Sequence, residues 1–257
     1  MIEQVDRVVI GATDLSAAVA AYQALGFQVE PPGTGGARIL LAGADLVLVD
    51  LHAPTAAGRW ETSVLHDFLR ERAGGLLGYA VTADLAAART RCPAAIPLDD
   101  KALTLNSRGW RGALPVLVPG AARASAKAEH PNGVRRLRAL ALVVEDLEQG
   151  IARYEADLGW PPVRRDEVIP WRALRATFTL AGVEIHLCAP NAPGLVAGML
   201  ALYGEGLWQV TLSAPAPAAR RLLEEGAASP APGVAGGHLI ALERAVGARL
   251  VIQEEAD

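Results

Sequence analysis

The sequence contains one long stretch twice, and this repeat limits what the chain can fold into. VDRVVIGATDLSAAVAAYQALGF, residues 5–27, is matched by LRALALVVEDLEQGIARYEADLGW, residues 137–160. The aspartates that follow the apolar run in each copy, Asp14 and Asp146, lie 132 positions apart. A chain with such a repeat is expected to build the same supersecondary structure in both halves.

Each copy has the pattern of a strand followed by a helix. The β-branched residues before Asp14 favour a strand, and Asp14 or Thr13 is a typical helix N-cap. Apolar residues then recur at helical spacing, at Leu15, Ala18, Val19, Tyr22 and Leu25 in the first copy and at Leu147, Ile151, Tyr154 and Leu158 in the second. Gly26 and Gly159 are typical helix stops.

Residues 76–92 and 207–226 repeat the strand–helix pattern more weakly. Short apolar strands separated by glycine-containing turns follow the helices, as antiparallel hairpins require. The sequence therefore predicts an α+β fold of four β-α-β-β-β modules. Two modules form a domain over residues 1–125, and two form a second domain over 132–257. The linker VPGAARASAKAEHPNG, residues 118–133, joins them.

Composition excludes several classes of protein. The 257 residues are 51% hydrophobic and 20% charged, which supports a packed core. A formal net charge of −4 argues against nucleic-acid binding. No apolar run reaches the ~18 residues of a membrane span, and no signal peptide is evident. Two distant cysteines, Cys92 and Cys188, favour free thiols in a cytoplasmic protein. The alanine-rich composition suggests a high-GC bacterial genome.

The modules, together with strands that end in DLHAP and HLCAP, resemble the vicinal-oxygen-chelate superfamily. That superfamily includes glyoxalase I, bleomycin-resistance proteins and extradiol dioxygenases. HPNGVRRLRALALVVEDL, residues 130–147, resembles the inter-domain stretch of glyoxalase-like domain proteins. The resemblance implies two cup-shaped mixed sheets flanked by helices. It also implies a metal site formed by a histidine on the first strand and a glutamate on the last strand of each module.

The positions that this resemblance assigns to metal ligands carry unsuitable residues. Where the family has histidine, this sequence has Arg7, Leu77, Ala139 and Gln209. On the last strands, aligning DLHAP with HLCAP selects Asp50 and His186, and the other two modules contribute Val116 and Val251. Arginine stays protonated, and leucine, alanine and valine side chains have no donor atoms for a metal. We therefore expect no catalytic metal and no cofactor.

Six residues are candidates for ligand binding inside the cups: Arg7, Asp50, His186, Gln209, Trp171 and Trp208. A buried arginine needs a partner, so we expect an Arg7–Asp50 ion pair. That pair either anchors an anionic ligand or fills a site without function. His186 is either an acid–base group or a hydrogen-bonded residue of the sheet. The two tryptophans, on predicted strands, either line a cup or pack in the core.

The remaining histidines carry weaker predictions. His52 follows the end of a strand, at the expected rim of a cup. His66 belongs to an amphipathic stretch and is expected on the solvent side of a helix. His130 is expected to be a turn residue in the linker, and His238 has no assignment.

The sequence favours a metal-free protein that binds a small apolar or anionic molecule in a sheet-lined cup. The alternative is a metal-dependent lyase, isomerase or dioxygenase of the same superfamily with relocated ligands. A third possibility is a degenerate structural or regulatory protein. The expected partner is a small-molecule ligand, without nucleic acid or membrane, and the chain is expected to be a monomer or homodimer.

Overall fold

The computed structural model of the protein describes residues 2–33, 36–52, 74–92, 95–99, 102–105, 114–120 and 129–255. His66 and residues 121–128 of the predicted linker lie outside the described residues. In the described part, no helix has the length and hydropathy needed to cross a membrane.

The first half contains eight strands and two helices among its described residues. They are β1 (Ile2–Ala12), α1 (Leu15–Ala24), β2 (Glu30–Gly33), β3 (Gly36–Ile39), β4 (Asp45–Asp50), β5 (Gly74–Ala83), α2 (Leu85–Arg91), β6 (Ile96–Asp99), β7 (Ala102–Thr104) and β8 (Val116–Pro119). Asp14 and Asp84 cap the two helices, since their carboxylates accept hydrogen bonds from backbone N–H groups of the first turn. The predicted strand-Asp-helix pattern is confirmed here.

The second half repeats this order and contains one helix more than the described residues of the first half. Its elements are β9 (Arg136–Val143), α3 (Leu147–Arg153) with a π-helical turn (Tyr154–Leu158), β10 (Arg164–Val168), a 3-10 turn (Ile169–Trp171), β11 (Ala173–Leu180), β12 (Val183–Pro190), α4 (Leu195–Tyr203), β13 (Gly206–Ala214), α5 (Ala216–Glu224), β14 (Ala228–Pro230), β15 (Gly237–Ile240) and β16 (Leu250–Glu254). Gly159 ends the first of these helices in the left-handed conformation, at φ 72°.

Each half forms one eight-stranded mixed sheet, as the four-module prediction requires. The strand orders are β2-β3-β4-β1-β5-β8-β7-β6 and β10-β11-β12-β9-β13-β16-β15-β14. In both sheets the first strand of the half pairs parallel with the last strand of its own module and antiparallel with the first strand of the next module. The α+β fold of two mixed sheets flanked by helices is confirmed.

The two halves share one hydrophobic core. The α-helical faces of both sheets and the repeated helices pack into a single cluster of buried residues. Both repeat tyrosines reach the opposite half. The Tyr22 hydroxyl donates to the Ala245 carbonyl at 3.3 Å, and the Tyr154 and Tyr79 hydroxyls lie 2.8 Å apart. The buried cluster therefore spans both halves, while the division into two domains stays a prediction.

The end of the linker is part of this packed interior. His130 is buried and contacts the Phe27 ring edge-on, with 5.5 Å between ring centroids. Its Nδ1 accepts a hydrogen bond from the Gln28 backbone N–H at 2.9 Å. Asn132 is also buried and donates to the Leu25 carbonyl at 2.9 Å. His130 therefore connects the linker to the first half by buried contacts. The sequence predicts only a turn residue here.

Helix α4 was not predicted from the sequence. It follows β12 and packs against that strand, against β9 and against the 3-10 turn. Val196 is buried, and Leu195, Met199 and Leu200 pack against a cluster on the open face of the second sheet. The helix therefore covers part of the second cup.

Candidate functional site

The register of the strands shows which residues lie side by side in the first cup. Arg7 on β1 faces Asp45 on β4 and Ala80 on β5, and Ala80 faces Val116 on β8. Val116 lies in the expected row, whereas Leu77 lies outside it. A β-bulge between Val9 and Ile10 shifts the pairing of β5 by one residue. Leu77 lies three residues from Ala80, so the alignment that selected Leu77 is wrong by more than this bulge.

The expected Arg7–Asp50 ion pair is wrong. Asp50 lies opposite Ala12, five residues beyond Arg7, which places the two about 16 Å apart along the strand. Arg7 instead pairs with Asp6, at 2.7 Å from Nε to the carboxylate. The Asp50 carboxylate accepts a hydrogen bond from the exposed His52 backbone N–H at 2.8 Å. Arg7 is thus already neutralised by its neighbour in sequence.

The acidic positions that match between the halves are Asp45 and Glu184. Asp45 is registered with Arg7, and Glu184 with Ala139, the residue that occupies the place of Arg7 in the second half. Each has an arginine partner, since Asp45 pairs with Arg38 and Glu184 lies 3.2 Å from Arg138. The alignment of DLHAP with HLCAP, which matched Asp50 to His186, is therefore wrong.

The second cup does not fit a divalent metal at the place that the family uses. The row across its sheet is Glu184, Ala139, Thr211 and Val251. Gln209 falls in the next row, beside Ala141. A bound metal needs several nitrogen, oxygen or sulfur donors that converge, and one carboxylate with one hydroxyl does not supply them. The described residues contain no group of three or more His, Cys, Asp or Glu side chains that could hold a metal ion.

His186 forms a dyad with Glu184 on β12. The imidazole Nε2 lies 2.9 Å from the Glu184 carboxylate, which also accepts from Arg138. The hydrogen bond with His186 lowers the pKa of Glu184 to about 2, so this carboxyl is ionised at neutral pH. Burial lowers the pKa of His186, which keeps its ring neutral there. A neutral, carboxylate-oriented imidazole has the chemistry of a proton acceptor.

Aromatic packing fills one end of the second cup. The Trp171 and Trp208 rings meet edge to face, with 5.0 Å between centroids. The Trp171 indole N–H donates to the Pro232 carbonyl at 2.6 Å. Trp171 lies in the 3-10 turn rather than on the predicted strand. Both side chains are buried with Cys188 and Val196, so packing explains Trp171 fully.

Arg249 is a half-buried cation beside Trp208 that sequence reasoning missed. Its guanidinium carbon lies 5.0 Å from the centroid of the Trp208 ring, and its Nε donates to the Gln209 side-chain oxygen at 2.9 Å. Within the described residues it has no carboxylate partner. Burial consequently lowers the pKa of Arg249 below its ordinary value. A desolvated cation without a counter-charge favours the arrival of an anion.

A cleft of about 620 Å³ opens at Arg249 between the two halves. Leu76 of β5 and the start of α1 line it on one side, and Met199, Trp208 and Val246 line it on the other. The Trp208 indole N–H is buried without a hydrogen-bond partner in the described structure. The cleft therefore combines apolar walls with one cationic donor group, Arg249, as small-molecule sites commonly do.

The structure brings together only part of the predicted set. Gln209 and Trp208 lie with Arg249 at the cleft, and His186 lies two strands away across Ala141. Arg7 and Asp50 belong to the other sheet. The signal for Arg249 was its position directly before the last strand, two residues before Val251. A single arginine beside glycine and alanine gives little reason to select it.

One solved structure that aligns over the whole chain supports the fold assignment. A triple mutant of 4-hydroxymandelate synthase from Streptomyces coelicolor aligns over 100% of this chain and 94% of its own, with a TM-score of 0.69 and 15% identity. A methylmalonyl-CoA epimerase from Mycobacterium tuberculosis aligns over 49% of this chain and 91% of its own, with a TM-score of 0.42 and 22% identity. No protein-family model and no curated protein matches the sequence. The chain has the vicinal-oxygen-chelate fold.

Proposed function

We propose that the protein binds a small organic anion, without a metal, in the cleft between its halves. The observation that carries this proposal is Arg249, a half-buried guanidinium with no carboxylate partner in the described structure. An arginine presents a planar fork of N–H donors that matches a carboxylate. Gln209 holds Nε of Arg249, which leaves the two terminal nitrogens of the guanidinium as donors for a ligand.

The other charges of the cleft do not replace such a ligand. Asp14 and Glu243 also line the cleft, but neither lies within ion-pair distance of Arg249. The Asp14 carboxylate accepts from the Ala17 backbone N–H at 2.9 Å as the cap of α1. A carboxylate from outside the chain would therefore meet Arg249 with its charge uncompensated, which favours binding.

The proposal differs from the expected location inside a cup. Trp171, Trp208 and helix α4 fill one end of the second cup. The open volume is the cleft, which lies outside this filled end. The alternative function, a metal-dependent enzyme, requires converging ligands that the described residues do not provide. The cytoplasmic location and the monomeric or homodimeric state stay predictions from the sequence.

A thermal-shift panel tests the proposal. Carboxylates and sulfonates with apolar bodies should raise the melting temperature, whereas the matching amines and alcohols should leave it unchanged. Arg249→Gln should weaken anion binding by about 10- to 150-fold, the range expected for loss of one charged hydrogen-bond donor. Arg249→Lys, which keeps the charge and loses the fork, should retain part of the affinity.

Arg244 provides the matched control for these variants. It is an exposed arginine five positions before Arg249 in the same segment. Arg244→Gln changes the net charge equally and should bind the anions as the natural protein does. Equal losses in Arg244→Gln and Arg249→Gln would show a general effect of surface charge and would refute a site at Arg249.

A further inference from the structure

A cation and large apolar side chains line the same cleft. Arg249 lies beside the Trp208 ring of the second sheet, with 5.0 Å from its guanidinium carbon to the ring centroid. Tyr203 and Leu242 also line the cleft and are 43% and 46% exposed. Two large, partly exposed side chains thus border a cavity that also holds a half-buried cation.

Tyr203 and Leu242 are two of the six strongly exposed large hydrophobic residues in the described part of the chain. The other four, Val163, Ile169, Leu174 and Leu202, do not line the cleft. Single exposed apolar residues are ordinary, but a cluster beside a cavity indicates a binding surface. The apolar surface continues inward along Met199 and Leu76.

We infer that the ligand is an amphipathic carboxylate, with its head on Arg249 and an alkyl chain that runs along the cleft to its mouth. This inference rests on the proposed function and adds the chemical class of the ligand. The carboxylate supplies the counter-charge that Arg249 lacks. The alkyl chain of the ligand covers Leu76 and Met199 within the cleft. It also covers Tyr203 and Leu242, which are partly exposed. A compact anion would satisfy Arg249 and leave the mouth exposed.

Calorimetric titration with straight-chain carboxylates tests this assignment. Butanoate, hexanoate, octanoate and decanoate are compared below their micelle concentrations. Each methylene buried along the cleft should raise the affinity by about fourfold. Arg249→Gln should weaken all four ligands by a similar factor, because it removes a contact with the head that they share.

A double variant at the mouth, Tyr203→Ser with Leu242→Ser, separates chain binding from head binding. It should lower the affinity for decanoate and leave that for butanoate unchanged. Ile169→Ser, at a residue that is 76% exposed and outside the cleft, serves as the control and should change neither. All three positions are exposed, so the substitutions do not open cavities in the core.

Each other outcome has a distinct meaning. Equal affinities for butanoate and decanoate would overturn the alkyl-chain assignment and leave the proposed anion site intact. Failure of every carboxylate to bind would refute both. Decanoate binding that survives Arg249→Gln in full would refute the head position. A change from dimer to monomer in the mouth variant, measured by light scattering, would show that the apolar mouth contacts a second copy and would overturn the inference.

Discussion

The imidazole of His130 is bound through both nitrogens, and this fixes its protonation state. Nδ1 accepts from the Gln28 N–H, and Nε2 lies 2.9 Å from the Leu40 carbonyl oxygen. Since Nδ1 is an acceptor, the ring is neutral and carries its proton on Nε2. Burial lowers the pKa of His130 in the folded protein. A second proton would break the bond from Gln28 and charge a buried ring.

The pH dependence of stability follows from that lowered pKa. The unfolded chain, with a histidine pKa of about 6.5, binds the second proton more readily than the folded chain. The contribution of His130 to the free energy of unfolding is therefore complete above about pH 6.5 and decreases as the pH falls toward the folded pKa. Urea unfolding across this range should show lower stability in acid.

Two substitutions identify the residue responsible. His130→Gln should remove part of the loss of unfolding free energy that occurs in acid. The buried His186, whose pKa is also lowered, accounts for a further part of this acid decline. His52→Gln, at an exposed histidine, should leave the decline unchanged. An acid decline of full size in His130→Gln would show that His130 does not contribute.

At the scale of the elements, the repeat predicts the order of strands and helices but not their register. The pattern before Asp14 and Asp146 correctly predicts strands followed by capped helices. Register depends on bulges and turn positions, which hydrophobic alternation does not reveal. The matched residues Asp45 and Glu184 both follow an Ala-Gly turn, and aligning those turns finds them, whereas aligning the strand ends does not.

Helix α4 shows a second limit of pattern analysis. Leu195, Val196, Met199, Leu200 and Tyr203 recur at helical spacing, but the segment falls between two β-α-β-β-β modules, where the repeat predicts no helix. Arg249 was missed for a related reason. Its importance comes from Trp208 and Gln209 of β13, which lie next to it only in the folded protein. Tertiary contacts of this kind are absent from local sequence.

The cross-strand row of the second cup predicts the response to divalent ions. Ala139 and Val251 have no donor atoms, so adding Zn²⁺, Ni²⁺ or Mn²⁺ should leave the melting temperature nearly unchanged. A site saturated at ~100 times its dissociation constant would instead add about 2.7 kcal/mol to the stability. A rise of several degrees that His186→Ala abolishes would contradict the metal-free account.

At the scale of the whole molecule, the halves are joined by buried contacts as well as by the chain. The Tyr79–Tyr154 hydroxyl pair lies in the shared core, and burial raises the pKa of both phenols. Tyr154→Phe leaves the Tyr79 hydroxyl without its partner. The expected loss is about 1–3 kcal/mol of unfolding free energy, the cost of an unsatisfied buried polar group.

A double-mutant cycle measured by denaturant unfolding separates this effect from lost packing. Adding Tyr79→Phe removes the stranded hydroxyl and should recover much of the loss, so the two substitutions should not be additive. Strict additivity would mean that the hydroxyls do not interact. Two separate unfolding transitions, rather than one, would contradict a core shared between the halves.

We place the head of the amphipathic anion on Arg249, in the cleft between the halves. A crystal structure with a carboxylate that carries bromine at the end of its alkyl chain tests this directly, because anomalous scattering locates the bromine. We expect the carboxylate within hydrogen-bond distance of the Arg249 guanidinium and the bromine beside Tyr203 or Leu242. A carboxylate bound at Arg7 in the first cup, or at His186 in the second, would contradict it.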